Sequence, residues 1–190
     1  MQRAWITLTA VLIICAFAAY GCSESKSASD DEPQGISARQ AYELALHEAR
    51  DWNSAAGLVY LAVWDPQPDG RDAGPWTLEF IAPGTQRVLR VLVATEGVLR
   101  ADESDISMTA YRRRLPDEWI DSTGLAELLA SLGANDRPGW IAAYLNADPA
   151  WPGQEPQPLW RAAMGDGAAG TWYLADLDGN PQGTRVVQGY

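Results

Sequence analysis

Apolar residues return every three or four positions between Ser37 and Trp52, at Ala41, Leu44, Ala45, Ala49 and Trp52. That spacing predicts a helix with one apolar face. Ser37-Ala38-Arg39-Gln40 has the form of a capping box, in which the serine oxygen and the glutamine side chain cover amide donors at a helix start. Asn53 to Gly57 ends the helix, and Leu58 to Trp64 reads as a strand from its length and its β-branched and aromatic content. A Pro/Gly/Asp loop follows over Asp65–Pro75. Trp76 to Phe80 alternates as a half-buried strand, Pro83-Gly84-Thr85 turns, and Arg87 to Thr95 alternates again. Glu96-Gly97 is a turn, with a short strand continuation over Val98–Arg100.

A similar order then returns. Asp121 or Ser122 caps a helix whose face is Leu125, Leu128, Leu129 and Leu132, closed by Gly133. Trp140 to Ala147 is apolar and fits strand or helix. An Asp148-Pro149 loop precedes Trp160, Gly165-Asp166-Gly167 turns, and Thr171 to Ala175 reads as a strand. Ser37 and Ser122, Ala41 and Ala126, and Leu44 and Leu129 are each 85 residues apart. Asp65 and Asp148 are separated by 83, Trp76 and Trp160 by 84, and Gly97 and Gly179 by 82. This predicts an α+β fold made of two tandem helix-plus-antiparallel-sheet repeats, over 36–105 and 120–190, with a connector at 106–119.

Each half resembles a PepSY domain, a helix on a small antiparallel sheet whose middle strand opens with an aromatic residue. The first half offers Gln40-Ala41, Leu44-Ala45, Trp76 to Phe80 and Val91 to Leu99. The second offers Tyr173-Leu174-Ala175-Asp176-Leu177-Asp178-Gly179 and keeps as Asp176 an aspartate that Ala94 replaces in the first. The resemblance implies a protease-inhibiting or chaperone-like role, because such domains occur in metallopeptidase propeptides.

The chain opens with a basic start, Met1-Gln2-Arg3, and an apolar run from Ala4 to Ala19 that ends in Ala19-Tyr20-Gly21-Cys22. This is a signal-peptide core closed by small residues over 1–21. It resembles the lipobox of bacterial lipoproteins, which implies acylation of Cys22 and a lipid-anchored protein of the cell envelope, facing the periplasm or the outer surface. A leucine is usual where Ala19 stands and a small residue where Tyr20 stands; an ordinary cleaved signal and an uncleaved anchor are the alternatives. Residues 22–35 carry little that could offset the entropy of ordering and read as a flexible tether.

Net charge is −11, and losing Arg3 with the leader makes the remainder one unit more negative. Such a body repels phosphates and excludes nucleic acid as a partner. The two cysteines are Cys15, inside the leader, and Cys22, so the folded part has no disulfide and relies on core burial. His47 is the single histidine, which excludes a histidine-based zinc site and reads as a solvated helix residue. No Gly-x-Ser-x-Gly elbow or phosphate loop is present. Asp176 to Asn180 matches part of a calcium loop but lacks its closing glutamate, so it reads as a hairpin turn. No metal or cofactor is expected. The carboxylate groups Asp102/Glu103/Asp105 and Asp117/Glu118 lie in polar stretches and read as solvated surface. Arg112-Arg113-Arg114 can meet lipid head groups or pair with Asp105, Asp117 and Glu118; the plentiful local acids favour pairing.

The loops bracketed by Trp64 and Trp76, and by Ala147 and Trp160, combine proline stiffness with tryptophan contact area. Trp64 and Trp151 are the candidate partner-binding residues, while Trp76 and Trp160 belong to strand patterns and to the core. The resulting expectation is a non-catalytic, lipid-anchored envelope protein that binds a protein or peptide, with strand addition at a sheet edge as its physical mode. The alternative is a small-ligand-binding lipoprotein using the cleft between sheet and helix.

Overall fold

Ser37 opens the first helix, α1 (Ala38–Trp52), with the capping box that the sequence predicts: the Ser37 side chain accepts from the Gln40 amide and the Gln40 side chain accepts from the Ser37 amide. The computed structural model describes residues 35–72, 74–85, 87–105, 114–134, 138–146, 157–164 and 170–187, with backbone alone at 140, 144–146 and 185–187. Structural statements below concern these residues. Cys22, Arg112, Arg113 and Trp151 lie outside them.

The fully buried stripe of α1 is alanine. Ala38, Ala41, Ala45 and Ala49 are fully buried, and Tyr42, Leu46 and Trp52 pack beside them. A stripe that offers only methyl groups lets the helix backbone approach the strands closely. Leu44, expected on this face, lies off the stripe and is exposed.

Four strands follow: β1 (Gly57–Trp64), β2 (Trp76–Ile81), β3 (Arg87–Ala94) and β4 (Gly97–Asp105). The second helix, α2 (Ser122–Ser131), precedes β5 (Pro138–Asn146), β6 (Gln157–Met164), β7 (Gly170–Asp176) and β8 (Pro181–Val187). The ambiguous apolar segment from Trp140 is strand as far as Asn146, and Ala147 lies outside the described residues. β4 runs well past Arg100 into the acidic stretch, and β8 was not anticipated.

The expectation of two tandem helix-plus-sheet repeats is corrected by the strand order. All eight strands form one antiparallel sheet, β4-β3-β2-β1-β5-β6-β7-β8. Tyr60–Trp64 of β1 pair with Trp140–Tyr144 of β5, and Pro33–Tyr190 is one compact unit. The fold remains α+β in the broad sense, dominated by sheet. Period-two patterning marks a strand but does not say which neighbour closes its edge, so the β1–β5 pairing was invisible in the spacing.

One core serves both halves. Trp76, Leu78, Phe80, Val91 and Val93 join Ile141, Trp160 and Ala162 beneath the helices. Residues 114–120 contribute to it: Leu115 and Trp119 are buried, the Leu115 amide donates to the Leu58 carbonyl at 2.7 Å, and the Ile120 amide donates to Leu177 at 2.7 Å. Trp119 meets Trp160 edge-on at 5.7 Å between ring centroids and Tyr42 at 5.9 Å. The Arg39 guanidinium sits 3.7 Å above the Trp119 ring and donates to its carbonyl at 2.7 Å.

Both helices begin at one place. Asp121 caps α2 by accepting from the Ser122 amide at 2.7 Å, and the same oxygen accepts from the Arg39 amide at 2.9 Å. Ser122 Oγ accepts from the Ala38 amide at 3.0 Å. The first turn of α1 is therefore capped by the residues that start α2. Because Asp121 serves two helix starts, Asp121→Ala should cost about 2 kcal/mol, the upper end of the range for an N-cap. Chemical denaturation measures this, and a loss under about 0.5 kcal/mol would show that the shared cap is dispensable.

Candidate contact surface

Strand alternation sorts the sheet into two faces. Leu61 and Val63 of β1, Leu78 and Phe80 of β2, Ile141 and Ala143 of β5, and Trp160 and Ala162 of β6 belong to the core under the helices. Tyr60, Ala62, Trp64, Thr77, Glu79, Ala142 and Arg161 alternate with them and so take the opposite face. Both described helices bury their apolar sides in the first core.

In the backbone register of the two central strands, aromatic residues stand opposite one another at both ends. Tyr60 stands opposite Tyr144 and Trp64 opposite Trp140, with Ala62 opposite Ala142 between them. Trp64 is 65% exposed, whereas Trp76, Trp119 and Trp160 are buried and Trp52 and Trp172 are half-buried. Trp76 and Trp160 thus lie in the core, as their strand patterns suggest. Trp64 is the last residue of β1; Asp65 follows in the left-handed region (φ 55°) and donates its amide to Gly139 at 2.9 Å. This ends the strand abruptly and holds Trp64 at its rim.

Two charged side chains are buried on the same face. Arg161 is only 6% exposed, and its guanidinium lies 5.5 Å from the Trp172 ring. Glu79 stands directly opposite Arg90 and accepts from its Nε at 2.8 Å and its Nη2 at 2.6 Å. Sequence reasoning passed over both. The available signal was a charge at the centre of an otherwise apolar strand, Leu159-Trp160-Arg161-Ala162-Ala163.

The 65–75 loop is a brace. Ile36 and Asp72 form a two-bond bridge, the Trp76 indole donates to the Ile36 carbonyl at 3.1 Å, and Gly70 (φ 80°) lies so close to the Ser122 carbonyl that a Cβ would strike it. The seam between α1 and the sheet is filled by the alanine stripe. An open cleft of about 340 Å³ lies elsewhere, beside the 114–117 segment, lined by Arg114, Leu115, Pro116, Asp117 and Pro158.

The remaining candidate chemistry is dispersed. His47 faces Asp51 at 3.3 Å on the exposed side of α1, Arg114 pairs with Asp117 at 2.9 Å, Glu103 with Arg87 at 3.0 Å, and Asp102 with Arg100. Among the described residues, no group of three or more His, Cys, Asp or Glu is placed to hold a metal ion. The calcium-like stretch is a hairpin turn between β7 and β8. Asp176 Oδ1 accepts from the Asp178 and Asn180 amides at 3.1 and 2.8 Å, and Oδ2 accepts from Asn180 Nδ2 at 2.9 Å and Gln182 Nε2 at 3.1 Å. Both oxygens are thus occupied by N–H donors.

No family model matches the chain, and no curated protein matches it in sequence. Among solved structures it is similar to a candidate lipoprotein of Clostridium difficile 630, with a TM-score of 0.55 and 13% identity, over 77% of this chain and 92% of that one. At that identity the likeness is one of fold. Among the described residues no helix is long and apolar enough to cross a membrane.

Burial pushes the Asp176 carboxyl up, but the hydrogen bonds from Asn180, Asp178 and Gln182 outweigh it and hold the group below the usual aspartate value. A carboxyl held lower in the folded than in the unfolded chain stabilises the fold above its unfolded value. That contribution disappears as pH falls through the folded value. NMR titration of Asp176 should therefore give a midpoint below that of an unfolded aspartate, and Asp176→Asn should remove this part of the acid sensitivity. A midpoint at or above the ordinary value would refute the account.

Proposed function

We propose that this chain is a lipid-anchored protein of the bacterial cell envelope that works by binding a protein or peptide rather than by catalysis, with Trp64 at the contact. The observation that carries the reading is the exposure of Trp64 at the rim of the central strand, on the sheet face opposite the helices. An exposed indole on a rigid strand brings large contact area with little ordering cost, and tryptophan is enriched where binding energy concentrates. The lipid anchor is supported by Cys22 at the end of a leader-like apolar run and by the fold shared with a candidate lipoprotein. Non-catalytic action is supported by the dispersal of His47 and the carboxylates into separate surface pairs. The small-ligand reading needs an opening between helix and sheet, and the side of α1 there is a stripe of fully buried alanines.

Two measurements test this. Cys22→Ala should move the full chain from the membrane to the soluble envelope fraction; retention in the membrane would point to an uncleaved anchor instead. A photocrosslinking amino acid at position 64, in the native cells, should give a discrete adduct with one envelope protein, absent when the probe replaces His47 on the far side of the helix layer. Trp64→Ala should weaken capture of that protein roughly tenfold or more without changing the melting temperature. Equal crosslinking from positions 64 and 47 would sink the assignment of Trp64.

A further inference from the structure

β4 ends the sheet, pairing with β3 on one side and with no strand among the described residues on the other. It has nine residues, longer than the usual strand, and its side chains are exposed from Val98 to Asp105. Such an edge is a template for another strand unless something blunts it. The opposite edge is blunted: β8 begins with Pro181, which has no amide to donate, and bends at Gly183 (φ 129°). β4 contains no proline, and its one irregularity is a bulge at Leu99, opposite the step from Leu92 to Val93.

We propose that the β4 edge pairs with β4 of a second copy of this chain, antiparallel and centred on Ala101. In an antiparallel ladder, opposed residues share a face, so two identical strands can pair only about a residue. Each choice of centre sets different charges against each other. Centring on Arg100, Asp102 or Glu103 opposes that residue to its own copy, which places like charges together. Centring on Ala101 instead sets Arg100 against Asp102 of the second copy, twice, and opposes no like charges. Ala101 is also the midpoint of Gly97–Asp105, so the same register gives full overlap of the two strands, with the Leu99 bulge outside the three central pairs. The charges continue inward. Asp102 stands opposite Arg90, which is paired with Glu79. The joined sheet would carry an alternating row of Glu79, Arg90, Asp102 and then Arg100 of the second copy. In the single chain, Arg100 and Asp102 pair with each other, an exposed contact that exchange of partners can replace.

The test uses the full-length chain in membranes, with Ala101→Cys as reporter, because the two-fold centre brings residue 101 of both copies together. A disulfide-linked dimer should form at Ala101→Cys and not at Ser104→Cys. Adding Arg100→Glu or Asp102→Arg to the reporter should each reduce the dimer roughly tenfold, since each opposes like charges twice. Co-expressing these two chains should restore it, because opposite charges then face each other at both contacts between positions 100 and 102. Equal crosslinking at 101 and 104, or failure of the mixed pair to recover, would overturn the proposal.

Discussion

Asp121 and Ser122 hold the two helix starts together, and most of the packing follows from that contact. The positive ends of two helix dipoles converge where a single carboxylate accepts from the Ser122 and Arg39 amides, while the Ser122 hydroxyl accepts from Ala38. A helix start exposes amides that its own chain cannot satisfy. Here part of that need is met by residues more than eighty positions away. The 65–75 loop closes the same knot through the Ile36–Asp72 bridge and the approach of Gly70 to Ser122. Arg39 extends it by lying over Trp119, which in turn meets Trp160 of β6.

With the helices fixed together on one side, the sheet has two unlike faces. The covered face packs against a stripe of buried alanines, which allows close approach of the two layers. The other face buries charged side chains. Glu79 is paired there with Arg90, and the Arg161 guanidinium lies beside the Trp172 ring. A buried carboxylate without such a partner would cost several kcal/mol, so the Glu79–Arg90 pair is a condition of the fold as much as a feature of a surface. Trp64 is the last residue of β1, and the chain turns sharply at Asp65, which leaves the indole 65% exposed.

Much of the local structure was legible. The capping box at Ser37, strands β1 to β3, a cap at Asp121 or Ser122, the core positions of Trp76 and Trp160 and the turn at Asp176 all show in patterns that span only a few residues of the chain. Leu44 and Leu132 were misplaced, because an apolar residue at the margin of a helical face is buried or exposed according to what lies across from it. The extent of β4 was missed because its acidic residues read as a polar loop, although an edge strand tolerates charge on both faces. Arg161 and Glu79 were missed because their partners come from other strands.

The amino-acid order alone determined both helices with their caps, strands β1 to β3 and β7, the acidic charge, the lack of cysteines for a disulfide in the folded part, and the leader-like run before Cys22. These depend on composition or on contacts between near neighbours in the chain. Only the tertiary structure decided that β1 and β5 join the two halves into one sheet, that Asp121 serves both helices, and that Trp64 is exposed while Trp76, Trp119 and Trp160 are buried. Hydrogen bonding between strand edges is carried by backbone groups common to every residue, so the side-chain pattern specifies a strand without specifying its neighbour.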